Sequence, residues 1–328
     1  MKAKQWSDLS YIRNPSEING WLLEGDPAIK YQVHRDLLDP DQETLEKYRE
    51  EIETAGWGAR LLAEQNEDGH WGKGFYQPKW TSTHYTLLDL KNLGISPDIS
   101  QIHQAISKIL TEEKGSDGGV NPARTVENSD VCVNGMFLNY ASYFSSEEAE
   151  LKSIVDFIIS QRMKDGGFNC KSNTSGATHS SLHTTISILE GIREYYVNGY
   201  CYRINELIEC GFTSREFILQ HELFKSDHTG KTIDPKFLML SFPSRWRYDI
   251  LRSLDYFRFA KIDYDERIEP AIKVLLKKQR KDGRWPLQER HPGKTHFEME
   301  KPGKPSRWNT LRALRVLNYF ERKFISKV

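Results

Sequence analysis

The chain has 328 residues, 38% hydrophobic and 28% charged, which suffices for one large core or two smaller ones. Lys and Arg together number 46, as do Asp and Glu, so no net field selects for nucleic acid or an acidic membrane surface. No apolar run is long enough to span a bilayer, and the opening Met-Lys-Ala-Lys-Gln-Trp leads into no signal-peptide core, so a cytoplasmic protein is expected. Four cysteines (Cys132, Cys170, Cys201 and Cys210) make a poor disulfide framework in so long a chain and are better read as packing residues or metal ligands.

In chain order, Trp21 to Leu38 reads as a helix with Pro27 in its first turn, a cap or extra hairpin within residues 1–50. A repeated phrase follows. Gln65-Asn66-Glu67-Asp68-Gly69-His70-Trp71 returns as Gln161-Arg162-Met163-Lys164-Asp165-Gly166-Gly167-Phe168 and as Gln279-Arg280-Lys281-Asp282-Gly283-Arg284-Trp285. Weaker copies are Ser116-Asp117-Gly118-Gly119-Val120 and Asp227-His228-Thr229-Gly230, so the Asp positions recur every 48 to 62 residues. Self-similarity at that period marks a stack or ring of supersecondary units.

Each unit reads as a hairpin of two unlike helices. Before the turn runs a one-sided helix, as in 271–279, where Ile272, Leu275, Leu276 and Gln279 share a face and Lys273, Lys277 and Lys278 lie away from it. After the turn comes a helix apolar nearly all round, as in 131–144 and 184–192, which must be buried between other elements. The stretches 244–257 and 306–320 align with a one-residue slip and predict two further buried helices, opening on Ser244-Arg245-Trp246 and Ser306-Arg307-Trp308. Amphipathic outer and apolar inner helices alternating through five or more hairpins predict an all-α fold, an α/α toroid around a central cavity, formed as a single domain. The Asp-Gly turn has a physical role there: Gly reaches backbone conformations closed to other residues, Asp bonds local amides, and the following aromatic packs between hairpins.

The Gln-x-x-Asp-Gly-x-Trp/Phe phrase resembles the repeat of squalene and other terpenoid cyclases and of protein prenyltransferase β subunits, over residues 55–320. That resemblance implies the same toroid and directs attention to single residues. Acid-initiated cyclases of the family carry Asp-x-Asp-Asp at an inner-helix start; the matching stretch here, Asp130-Val131-Cys132-Val133, lacks the central carboxylates, so cyclisation by protonation is not expected. Asp263-Tyr264-Asp265-Glu266 precedes an outer helix and reads as capping.

Asp130-Val131-Cys132 instead resembles the Asp-x-Cys of prenyltransferase β subunits, which binds zinc with a His one repeat later. His183-Thr184, 51 residues after Cys132, resembles that His-Thr helix start. The resemblance therefore implies a catalytic zinc on Asp130, Cys132 and His183, with Cys132 as a catalytic residue and Cys170 and His179 as alternative ligands; a zinc holding Cys170 as fourth ligand would be closed. The other reading of these residues stays open: Asp130 as a helix cap, Cys132 as a small core residue, His183 as a hydrogen-bonded core histidine.

Arg124, six before Asp130, fits the family's diphosphate contact, but the lysine expected three before Asp130 is Glu127. Tyr85-Thr86 resembles the family's first inner helix with Ser82 in place of a His, leaving His84 and Tyr85 as candidate catalytic groups. Trp80, Arg245, Trp246, Arg307 and Trp308, at inner-helix starts, are candidate ligand contacts, although closure of hairpins by Trp is the competing reading. Residues 286–305 read as a long loop covering one mouth of the ring. Three functions follow: a zinc-dependent isoprenoid or alkyl transferase with an apolar cavity, a silent toroid binding an apolar small molecule or a partner subunit, and a carbohydrate-active α/α barrel. No nucleic-acid partner is expected.

Overall fold

The computed structural model describes residues 15–38, 40–122 and 126–325. Its helices are α1 (Pro15–Leu23), α2 (Pro27–Leu37), α3 (Gln42–Thr54), α4 (Gly56–Ala63), α5 (Thr83–Leu93), α6 (Ser100–Glu112) and α7 (Val131–Tyr143) in the first half. The second half adds α8 (Glu148–Ser160), α9 (Leu182–Val197), α10 (Ile204–Gln220), α11 (Ile250–Phe259), α12 (Glu269–Lys277) and α13 (Arg307–Ile325), with a single helical turn, Ser172–Ser175, between α8 and α9. The described residues form isolated β-bridges and no sheet. None of their helices is long and apolar enough to cross a membrane.

The chain is an α/α toroid. On the inside α5 packs on α7, α7 on α9, α9 on α11, α11 on α13 and α13 on α2. Gln32 of α2 closes the ring by donating from Nε2 to the carbonyls of Asn92 (2.9 Å) and Leu93 (3.1 Å) at the end of α5. Inner helix α7 is buried from Val131 to Ser142, whereas outer helices α6 and α8 bury single stripes such as Ile102, Ala105, Ile106 and Ile109. The tightest inner contact is glycine on glycine: a Cβ on Gly191 would lie 2.5 Å from the carbonyl oxygen of Gly135, and one on Gly135 would lie 2.8 Å from the amide of Ile188.

Repeated side chains have repeated bonds. Gly69, Gly118, Gly166 and Gly283 adopt φ of +83°, +88°, +92° and +79°, the left-handed region that favours glycine. Asp68, Asp117 and Asp282 each accept from the amide two residues on, and Gln65 and Gln279 donate across the turn to the carbonyls of Gly69 and Gly283. The residue after the turn then inserts: Trp71, Phe168 and Trp285 are fully buried, and their amides donate to Thr83, Thr185 and Thr310 of the next inner helix. Truncating such an aromatic costs about 3 to 5 kcal/mol, which ties each turn to the hairpin after it.

Two expected helices differ. The stretch 21–38 breaks at Gly25-Asp26, where Asp26 caps α2 by accepting from the Ala28 amide (3.0 Å) and Pro27 fits the first turn. The stretch 244–257 is helical only from Ile250, because Asp249 is the residue that caps it, accepting from the Arg252 amide at 2.8 Å. Asp265 caps the turn leading into α12.

Candidate functional site

Two groups of polar residues stand out, one at the inner-helix starts and one beside their second halves. At the starts, Asp130, Cys132 and Cys170 bring one oxygen and two sulfurs within 4.8 Å of one another. Asp130 is the N-cap of α7, its Oδ1 accepting from the Cys132 amide at 3.0 Å and the Val133 amide at 3.4 Å. Cys170 lies in the loop before α9; its thiol donates to Asp130 Oδ1 (2.8 Å), and its sulfur accepts from the Cys132 amide (3.1 Å) and the Thr184 hydroxyl (3.3 Å). The hydrogen bond with Cys170 and then burial push the Cys132 thiol well above its ordinary range.

His183 is not part of this cluster. Its Nδ1 accepts from the Tyr248 amide at 2.8 Å, and its ring meets Phe237 and Trp246 edge to face. With that lone pair occupied, the neutral imidazole carries its proton on Nε2, so neither nitrogen offers a pair to a metal. Burial lowers its pKa to about 4. His179 is exposed and also stands apart from the cluster. Arg124 lies outside the described residues.

His84 and Tyr85 are fully buried in an aromatic nest. His84 Nδ1 lies 3.2 Å from the Tyr140 hydroxyl, Phe75, Tyr76 and Tyr85 surround its ring, and burial lowers its pKa to about 3. Tyr85 shares a 3.1 Å hydroxyl contact with Tyr76, and burial raises its pKa well above the ordinary value. Trp80 donates its indole N–H to the Pro292 carbonyl at 2.6 Å, and His296 Nε2 lies 2.9 Å from the Thr86 hydroxyl, so the 286–305 loop is pinned across the first repeat.

The central cavity, about 310 Å³, lies beside the second halves of α5, α7 and α9 and meets α2, α11 and α13. Its wall is mixed where an apolar one was expected: Leu88, Leu93, Val197, Phe259 and Met299 stand among charged side chains. Eight cationic side chains line it (Arg35, Arg49, Lys91, Arg193, Arg245, Arg252, Arg312 and Arg315) against four carboxylates (Asp89, Glu190, Glu194 and Asp255). Trp308 adds an aromatic face, stacked on Phe242 at 4.5 Å. Glu190 accepts from Arg252 at 2.8 and 2.6 Å, Glu194 pairs with Lys91 at 3.0 Å and Arg193 at 2.5 Å, and Asp255 pairs with Arg312 at 3.1 Å and with Arg315. Burial raises the Asp89 pKa to about 6, although Arg245 opposes the shift.

The ligand candidates from the helix starts therefore separate. Arg245 and Trp308 reach the cavity, while the half-buried Trp246 turns to His183 and Lys79. Arg307 turns outward, donating from Nε to the Trp21 carbonyl (2.9 Å) with its guanidinium over the Trp21 ring. Sequence reading missed Asp89 and Asp255. The available signal was a carboxylate inside an otherwise apolar inner helix, as in Leu87-Leu88-Asp89-Leu90 and Leu254-Asp255-Tyr256.

No protein-family model matches this chain, and no curated protein matches it in sequence. Among solved structures it is similar to a polysaccharide lyase, at 12% identity over 100% of this chain and 99% of that one, with a TM-score of 0.51. It is also similar to a glycosyl hydrolase family 88 protein from Bacteroides vulgatus, at 13% identity, covering 97% and 94% of the two chains, with a TM-score of 0.49. A third is a variant of type II terpene cyclase MstE from Scytonema in complex with merosterolic acid A, at 14% identity over 96% and 98%, with a TM-score of 0.48. At these identities the likeness is one of fold alone.

Proposed function

We propose that the protein is a carbohydrate-active α/α toroid that takes a hydroxyl-rich ligand in its central cavity. One observation carries this reading: the cavity wall interleaves charged, hydrogen-bonding groups with apolar faces such as Leu88, Phe259 and Trp308, where an isoprenoid would need an apolar tube. A sugar ring offers hydroxyls to such a wall and an apolar face to the indole. Asp89, with a pKa of about 6, would be able to donate a proton near neutral pH, which makes it the candidate general acid. Isothermal calorimetry with a panel of oligosaccharides and with geranylgeranyl diphosphate tests the assignment. A saccharide should bind, and Trp308→Phe, which keeps an aromatic, should bind it more tightly than Trp308→Leu. Binding of the isoprenoid alone would overturn the reading.

Asp130, Cys132 and Cys170 favour a second reading, in which they hold a thiophilic divalent ion, zinc. The donor set of two sulfurs and one carboxylate suits zinc and leaves a coordination position for a further ligand. Bound zinc would keep both thiols deprotonated, the chemistry that the zinc-dependent alkyl transferase reading requires. In this set Cys170 takes the place that the sequence assigned to His183. Elemental analysis of protein expressed with zinc should find one ion per chain, lost in Cys132→Ala and Cys170→Ala and kept in His183→Ala. Metal-free wild-type protein would reject the site, and loss of metal in Cys132→Ala and His183→Ala but not in Cys170→Ala would restore the set Asp130, Cys132 and His183.

A further inference from the structure

We propose that the ligand of the central cavity is anionic and that Arg245 is the residue that recognises its charged group, a carboxylate or a sulfate or phosphate ester. This deepens the carbohydrate reading and rests on it for the rest of the ligand.

Arg245 occupies a position with unmet bonding capacity. Its side chain is 5% exposed, yet Nε and Nη1 are buried with no hydrogen-bond partner among the described residues. The guanidinium lies 4.6 Å over the Trp80 ring, and its nearest carboxylate, Asp89, is 3.7 Å from Nη2, beyond hydrogen-bond reach. A buried donor left unpaired is costly, and more so when it is charged. The backbone adds to this, since Arg245 sits at φ +55°, a left-handed conformation that non-glycine residues seldom hold.

Most of the neighbouring carboxylates are bonded to other cations, and the nearest, Asp89, is not within hydrogen-bond reach. Of the four carboxylates in the wall, Glu190, Glu194 and Asp255 are bonded to Arg252, to Lys91 and Arg193, and to Arg312 and Arg315. Only Asp89 remains for Arg245, and at 3.7 Å from Nη2 it makes an ion pair without a hydrogen bond and leaves Nε and Nη1 with no acceptor among the described residues. The guanidinium also faces a smaller cavity beneath the 286–305 loop, lined by Arg290, His291, Glu298 and Glu300, so it stands at the junction of two voids; Glu298 is bonded to Arg290, and Glu300 to the Ser306 hydroxyl and the Arg307 and Trp308 amides. A two-oxygen anion matches the planar edge of Arg and would supply the missing acceptors, whereas a neutral hydroxyl supplies a weaker bond. Arg307 has the same neighbours in sequence and likewise lies over a Trp ring with a carboxylate, Glu24, 3.7 Å away, but its side chain is 32% exposed and its Nε donates to the Trp21 carbonyl at the surface of α1.

The test uses the full chain and calorimetry with matched probes: a glucuronate-containing oligosaccharide, its sulfated counterpart and the neutral glucose-containing one. The wild type should bind one of the acidic probes about tenfold or more tightly than the neutral one, the effect of a charge-assisted hydrogen bond. Which acidic probe binds separates carboxylate from ester. Arg245→Gln should reduce the preference to within about twofold, Arg245→Lys should keep part of it as a point charge, and Arg307→Gln should leave it intact. Equal binding of acidic and neutral probes, or a preference that survives both Arg245 variants, overturns the proposal. If no saccharide binds, thermal-shift assays with inorganic sulfate and phosphate decide separately. Stabilisation of the wild type that Arg245→Gln loses keeps the anion site while the carbohydrate reading fails, and absence of any such effect removes both. Far-UV circular dichroism checks that each variant is folded, and Arg245→Lys serves if the Gln variant is not.

Discussion

Ser244-Arg245-Trp246 and Ser306-Arg307-Trp308 are the same tripeptide at matching places in two repeats, and they end in different structures. In the last repeat Glu300 accepts from the amides of Arg307 (2.8 Å) and Trp308 (3.2 Å), and the Ser306 hydroxyl accepts from the Asn309 amide (2.9 Å), so α13 starts at Arg307. Trp308 then faces the cavity and Arg307 faces out. In the preceding repeat the cap falls later, at Asp249, and residues 244–249 remain outside the helix. Arg245 is thereby turned inward at φ +55°, and the Tyr248 amide is freed to bond His183. The place of the cap, more than the tripeptide, decides which side chain meets the ligand space.

The largest effect that tests this contrast is at the tryptophans. Trp308 is buried against Phe242, with Trp57 at 6.4 Å, so Trp308→Ala should cost about 3 to 5 kcal/mol in denaturant unfolding. Trp246, half-buried with an indole N–H that has no partner among the described residues, should lose no more than about half as much on the same change. Equal losses would mean that the two positions are equivalent after all.

Next comes the carboxylate beside Arg245. Burial raises the Asp89 pKa from the ordinary 3.8 to about 6, so the folded state binds its proton more tightly than the unfolded one. The stabilisation from that proton is fully present below about pH 4 and is lost as pH rises through 6, on the order of 3 kcal/mol in all. Asp89→Asn should flatten this part of the stability profile between pH 4 and 7. An unchanged profile would show that Asp89 stays ionised and already compensates Arg245.

The smallest effect addresses the cap itself. Asp249→Ala removes the acceptor for the Arg252 amide and for the Ser241 hydroxyl, at 2.8 and 2.7 Å, and should cost about 1 to 2 kcal/mol. Amide exchange should quicken first in the opening turn of α11, while α13, capped from Glu300, keeps its protection. Equal quickening in both helices would remove the cap as the cause of the difference.

What the sequence by itself determined is the part that depends on neighbours along the chain. A Gly at positive φ, an Asp bonding an amide two residues on, and a helix with one apolar face are local, so the Asp-Gly turns and the inner and outer helices are legible from 65–71, 161–168 and 279–285 alone. The pairing of Asp130 with Cys132 is local as well, two residues apart at one helix start. Tertiary structure decided the rest, because it turns on atoms brought from distant repeats. Tyr248 occupies His183 Nδ1 and leaves Cys170 to complete the thiol cluster. Carboxylates and arginines separated by up to hundreds of residues share one cavity wall, and their periodicity resembles that of any buried helix until the ring closes around them. Composition and spacing carry the folding unit; ligand chemistry lies in which side chains the closed ring leaves without partners.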